Sequence, residues 1–435
     1  MKTLNKFITS ILAASILATG VISCNRIDYP DRYAVADGIP IVYSVRYADR
    51  DINITNAYMD EVVCLLGDNL RSITELWFND QQALLNTSFI TDHTLLTSVP
   101  KNMPAVQTNK IYMITANQDT VTFDFQVLPP VPKVTTLSNE WAAEGELVTL
   151  YGDFLIDDAA IPLQISFPGV DVPHADMTFN GSSSVSFHIP EGAQPGFVTV
   201  KSLSGTGKSK FYYRDDRNIL FDWDGSRGGF ATGHGWRAGV VHHPGDDPWK
   251  ALDGSYLYFG GATVESGIGA TWAEDNFCFN YWPGTPESGY PALSSLPVFA
   301  EYIDTYDVGG LQLKFEVLIP SSNPWSSAAM QIMLTSDDEV THSAASNAYY
   351  SNTAFPRAVW MPWAATGSYD TGDKWETVTI PLAQFNRTHA NAECATAFSK
   401  KFLTGLTFFL WHGGLQGTTC NPVLAIDNIR IVPIG

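Results

Sequence analysis

The stretch KWETVTIPL, residues 374–382, alternates polar and apolar side chains with a period of two, and Trp375 opens it. That is the spacing of a β-strand with one face against a core, because successive side chains leave a strand on opposite faces. GLQLKFEVLIP at 310–320 alternates in the same way, and LAIDNIRI at 424–431 closes the chain as a third strand. Helical periodicity is nearly absent elsewhere. Short alternating runs stand between Gly, Pro, Asn and Asp, which is the pattern of β-sandwiches. The chain reads as all-β.

Upstream, an internal repeat emerges. EVVCLLGDNL at 61–70 matches ELVTLYGDFL at 146–155. Each copy is followed by a strand centred on Phe78 or Phe167 and ends on Val99-Pro100 or Ile189-Pro190. The pattern resembles the IPT/TIG class of immunoglobulin-like domains, which implies two tandem β-sandwiches, at 37–129 and 130–213. Gly67 and Gly152 are expected at positive φ, where the strand turns. VLPPVP at 127–132 is a stiff joint between the copies. Neither copy holds a cluster of His, Cys or carboxylates, so both read as spacers.

The first 23 residues carry Lys2 and Lys6 ahead of a short apolar run, the composition of a secretory signal. They end in Val21-Ile22-Ser23-Cys24, which resembles a bacterial lipobox and implies that Cys24 is acylated. Residues 24–36 then form a polar tether. Asn25 follows the cysteine, so nothing resembles an inner-membrane retention signal, and an outward-facing outer-membrane lipoprotein is expected. Cys64, Cys278, Cys394 and Cys420 remain and allow three full pairings or none. No CxxC occurs, which argues against a zinc ribbon. The 435 residues carry a formal net charge of −20. Such a surface repels phosphate backbones and acidic glycans, so nucleic acid is excluded as a partner class and a neutral ligand fits better.

Ten of the twelve tryptophans lie beyond residue 220. That asymmetry marks 214–435 as the ligand-binding domain. The W-x-x-V-x-I-P-L strand (Trp375 to Leu382) and the final D-N-x-R strand (Asp427 to Arg430) resemble the galactose-binding-like jelly rolls of carbohydrate-binding modules. The whole layout (lipobox, tandem repeats, then LKFEVLIP followed by Asn323-Pro324-Trp325) resembles the surface glycan-binding protein B family. These lipoproteins accompany the transporter in starch-utilisation-like glycan uptake systems. The resemblance implies a soluble glycan, often a β-glucan or xyloglucan, bound on an aromatic platform without catalysis. It also implies a TonB-dependent transporter and a companion surface glycan-binding protein as partners. No cofactor is required. Jelly rolls of this type imply a structural Ca²⁺, here on Asp427 with Asp222 or Asp224.

A pyranose lays its C–H face on an aromatic ring and presents its hydroxyl rim to polar groups. An exposed ring forgoes roughly 4–6 kcal/mol of burial, so clustered exposed rings mark an interaction surface. Loop signatures single out Tyr281 and Trp282 (YWPG), Trp325 (NPWSS), and Trp360 and Trp363 (VWMPW) with Tyr350 as the platform. Around a proline turn, Trp360 and Trp363 face the same way. Asn280, Gln331, Asn347, Arg357 and Asp370 are their polar neighbours. Trp375, Trp411 and Trp223 read as core, while Trp236 and Trp272 stay open. His234, His242 and His243, with Asp246 and Asp247, read as a polar loop rather than a zinc site. Two other functions compete. A glycoside hydrolase would draw a carboxylate pair from Glu265, Glu274, Asp275, Glu287 and Asp337-Asp338-Glu339. A surface adhesin would use the same aromatics on a protein.

Overall fold

The computed structural model describes residues 35–104, 106–266, 273–284, 288–336 and 352–435. Strands dominate them; the longest helix is Pro297–Thr305. The chain divides into two compact units, one ending at Pro130 and one running from Val131 to Gly435.

The first unit faces one sheet, ordered Asn53–Ile54, Ile41–Tyr47, Val62–Asp68, Thr94–Ser98, with a second, ordered Gln81–Ala83, Ile73–Phe78, Lys110–Thr115, Thr120–Asp124. The second unit opens with the matching repeat, whose core gathers Val148, Leu150, Phe167, Phe187 and Phe211. The repeated glycines have a different job from the expected one. Neither Gly67 nor Gly152 has a positive φ; that falls two residues later, at Asn69 (55°) and Phe154 (58°). What each glycine lacks is room. A Cβ would stand 1.9 Å from the Ile41 carbonyl oxygen at Gly67 and 2.0 Å from that of Lys133 at Gly152. In both copies the facing strand shifts register there, between Val42 and Ser44 and between Val134 and Thr136. A bulge presses one backbone onto the other, and only glycine admits it. Gly152→Ala is expected to cost about 1–3 kcal/mol in a urea melt, as overpacking does; an unchanged midpoint would contradict the close approach.

Two sheets make the C-terminal sandwich. One is ordered Val240–His242, Tyr256–Phe259, Leu424–Pro433, Leu311–Leu318, Glu376–Pro381, with Ile219–Phe221 also paired to Leu424–Pro433. The other is ordered Cys278–Tyr281, Gly405–Trp411, Ala329–Thr335, Ala358–Trp360. Leu313, Phe315 and Ile431 of the first meet Met330, Ile332 and Phe408 of the second in one core. All three opening stretches lie in the first sheet.

One difference from simple alternation matters. Every residue of Leu311–Leu318 is buried, including Gln312, Lys314 and Glu316 on the outer face. The second repeat covers them. Its Glu140, itself buried, accepts from Lys314 Nζ at 2.5 Å and from Arg430 Nη2 at 3.0 Å. Arg430 also forks onto Glu316 at 2.7 and 3.0 Å. Thr377 donates to Glu316 and accepts from the Glu140 amide, while its own amide donates to Ser138 O. The terminal D-N-x-R pattern is explained by this geometry. Asn428 takes a left-handed conformation (φ 49°) where the strand bulges, and Arg430 reaches the repeat. Burial pulls the Arg430 guanidinium down, but Glu316 and Glu140 more than restore it.

Candidate functional site

With the central strands of the first sheet covered by the repeat, the outer face of the second sheet is the one to search. Its inward positions, Leu406, Phe408 and Leu410, belong to the core. The alternate positions, Thr407, Phe409 and Trp411, therefore point outward. Cys278, Trp282, Met333 and Phe409 form a separate apolar cluster there, with Phe355 and Trp411 packed on it.

Trp411 is half-buried, and two histidines bracket it. His389 stacks on its ring at 5.5 Å and 21°, and His412 meets it at 4.2 Å and 60°. Gln331, fully buried, holds both: its Nε2 donates to His389 O at 2.7 Å and His412 O at 2.8 Å. Arg357 Nη1 in turn donates to Gln331 Oε1 at 2.8 Å. Burial first, and then the neighbouring Arg357 cation, pull the His389 imidazole below its ordinary range; burial, then His389, then Arg357 do the same to His412. Both rings are thus neutral at pH 7, and they stack without adding charge.

At the Cys278–Tyr281 edge stands Trp236, 48% exposed and more open than any other tryptophan among the described residues. The Arg237 guanidinium lies 4.9 Å from its ring centre. The Arg237 amide donates to Asn280 Oδ1, and Asn280 Nδ2 donates to Thr407, which ties the loop to the sheet. This arrangement offers ring faces for C–H groups and a rigid polar layer behind them.

The expected platform is corrected by these positions. Trp282 and Tyr281 are 0% exposed. The Trp282 indole lies beneath Gly235, where a Cβ would sit 2.9 Å from the ring, and the Tyr281 hydroxyl donates to Pro291 O. Trp325 is also 0% exposed and donates to Ser327 O at 2.6 Å. Trp363 is 4% exposed, because the Pro362–Ala364 turn drives its indole inward to donate to Ala328 O. Trp360 is half-buried and packs edge-on against Phe315 and Trp325. Trp363 therefore joins the core, whereas Trp360 only packs against it from the edge. Tyr350, Asn347, Trp272 and Cys24 lie outside the described residues. Asp370 caps the Gly372 amide, a turn former's role.

Trp223 and Trp375 are core, as expected, whereas Trp411 is not. The run Gly405–Trp411 is apolar except at Thr407, and that one hydroxyl marks the outward parity shared by Phe409 and Trp411. For Trp236 the available signal is its setting, a loop with glycines at 233, 235 and 239.

The expected calcium ligands Asp222 and Asp427 are both fully buried. Asp222 gives its two carboxylate oxygens to the Gly225 and Arg227 amides. Asp427 is buried, and burial, followed by Asp253 beside it, pushes its carboxyl well above the usual range. Among the described residues no three His, Cys, Asp or Glu side chains gather as metal ligands. His242 pairs with Asp247 and His243 with Ser255, while His234 stacks on Tyr290, so the histidines disperse into separate contacts. Cys64, Cys278, Cys394 and Cys420 are unbridged thiols. As for carboxylates, Glu274 and Asp275 both pair with Arg237 rather than facing each other across a cleft. Glu287 and Asp337-Asp338-Glu339 lie outside the described residues.

Immunoglobulin-like repeats leading into a tryptophan-rich two-sheet sandwich with one open aromatic face define a protein of the glycan-binding class. The chain belongs to the surface glycan-binding protein B family: residues 213–433 match the model of the surface glycan-binding protein B xyloglucan binding domain. It is similar to the crystal structure of surface glycan-binding protein PbSGBP-B from Prevotella bryantii, with 35% identity and a TM-score of 0.73 over 92% of this chain and 100% of that one. The SGBP-B of a complex xyloglucan utilization locus in Bacteroides uniformis aligns at 14% identity and a TM-score of 0.41, over 91% of this chain and 100% of that one. An IPT/TIG domain-containing protein of Bacteroides ovatus is 22% identical over 173 residues, 38% of this chain. That match spans about a third (34%) of the relative's own length.

Proposed function

We propose that this chain captures a neutral β-glucan, xyloglucan or mixed-linkage β-glucan, at the cell surface without catalysis. The glucan lies on the outer face of the Cys278–Tyr281, Gly405–Trp411, Ala329–Thr335, Ala358–Trp360 sheet. Trp411 and Trp236 supply its stacking faces. Lipid on Cys24 anchors the chain in the outer membrane, and bound glycan passes to a TonB-dependent transporter with a companion glycan-binding protein. One observation carries the assignment of the face. The central strands of the other sheet are covered by the repeat through a buried ion network, whereas this sheet presents a half-buried indole braced by two neutral imidazoles over a fixed Gln331–Arg357 pair. The acidic surface supports the neutral class, because it repels uronate or sulfated chains.

Affinity electrophoresis across neutral and acidic polysaccharides, with chain-length analysis after long incubation, tests this reading. Retardation by xyloglucan or mixed-linkage β-glucan with undiminished chain length is the expected result. Shortened chains would favour the hydrolase. Retardation by none of the glycans would overturn the proposal.

A further inference from the structure

Ala358–Trp360 and Glu376–Pro381 are edge strands of opposite sheets, so the sandwich is open between them. A cleft of about 490 Å³ lies there, within the roughly 300–1,000 Å³ typical of small-ligand sites. Trp360 lines it. Its edge-on contacts with Phe315, Trp325 and Tyr369 hold the indole from the core side and leave it half-buried.

Around that indole stand Gln384, Asn386, Arg387 and Asn391. None of these four side chains makes a hydrogen bond or ion pair among the described residues, although the backbone beneath them is well fixed. Arg357 and Arg387 exchange both amide bonds at 3.0 Å, and the Cys394 amide donates to Asn386 O at 2.8 Å. No Asp or Glu lines the cleft among the described residues, which is notable in a chain of net charge −20. Carboxamides both donate and accept, as hydroxyl groups require, and an indole takes the C–H face of a ring.

We propose that this cleft is a second saccharide site, taking one or a few neutral pyranosyl residues. Trp360 is the stacking surface, and the three carboxamides and Arg387 bond the hydroxyl rim. The segment that brings Arg387 and Asn391 to the cleft also brings His389 to Trp411, so the two sites are neighbours. The inference shares its ligand class with the proposed function but not its residues.

The test is calorimetric titration of cellohexaose into the full chain, the Trp411→Ala variant, and the triple variant Gln384→Ala, Asn386→Ala, Asn391→Ala. Thermal melts serve as the fold control, and the single Asn386→Ala variant stands in if the triple variant unfolds. Two binding events are expected in the parent, with the cleft event alone remaining in Trp411→Ala and the face event alone in the triple variant. Unchanged stoichiometry and affinity in the cleft variants would overturn the second site and leave the sheet face standing. Loss in the cleft variants with none in Trp411→Ala would overturn the face and leave the cleft standing. Trigalacturonate is the anionic control: tighter binding of it than of cellohexaose, abolished by the cleft variants, would overturn the neutral class.

Discussion

Arg430→Met is expected to lower the stability of the Val131–Gly435 unit by about 3–5 kcal/mol at pH 7, the usual cost of removing one partner from a buried ion network. The guanidinium bonds Glu316 twice and Glu140 once, and all three residues are at most 1% exposed. Without it, Glu316 keeps only Thr377 among these partners, and Glu140 keeps Lys314. Burial already pushes the Glu316 carboxyl up, with Arg430 opposing that push. In the variant Glu316 holds a proton in the folded state that the unfolded chain has released at neutral pH. Folding then binds protons, so stability falls as pH rises above the ordinary glutamate pKa of about 4.3. The deficit should therefore shrink toward pH 4. Calorimetry of the unit should also show the repeat and the sandwich melting apart. Adding Glu316→Gln should recover part of the loss, because Glu316 is the carboxylate left without a cation, whereas Glu140 keeps Lys314. A loss under about 1 kcal/mol, independent of pH, would place the network in the range of exposed ion pairs.

Trp411→Ala should weaken glucan binding about 10- to 30-fold. Covering roughly 60–80 Å² of indole at about 25 cal/mol per Å² contributes about 1.5–2 kcal/mol, and 1.4 kcal/mol is tenfold. The fold should survive, since the ring packs on a surface cluster rather than in the main core. Trp325→Ala is the contrasting variant: a fully buried indole in that core, whose loss should cost about 3–5 kcal/mol of stability. Because His389 and His412 are held neutral, affinity should be flat from about pH 6.5 upward. Equal affinity in Trp411→Ala and the parent would remove this face from the site.

Much of the fold was legible because alternation is a local property. KWETVTIPL and LAIDNIRI announce strands by parity, and the two GD repeats announce themselves by likeness. What parity does not report is which object covers a face. Lys314 and Glu316 are polar positions in a strand, so they read as solvent-facing, yet the loop at Glu140, 174 residues upstream of Lys314, buries them. The same limit misdirected the platform. Tyr281, Trp282, Trp325 and Trp363 sit beside glycine and proline, where chains turn, but a turn can aim a ring inward as readily as outward. Gly235 and the Pro362–Ala364 turn do so here. Trp411 was hidden for the opposite reason. Its strand is apolar on both faces, and only Thr407 betrays which residues look outward.

Hydroxyl-radical footprinting of the intact chain, with and without mixed-linkage β-glucan oligosaccharide, tests the central claim most directly, because it reads side-chain exposure ring by ring. Ligand should protect Trp236 and Trp411 while leaving Trp77 and Trp249, both partly exposed elsewhere, oxidised as before. Protection of Trp249 or Trp77 with Trp236 and Trp411 unchanged would contradict it.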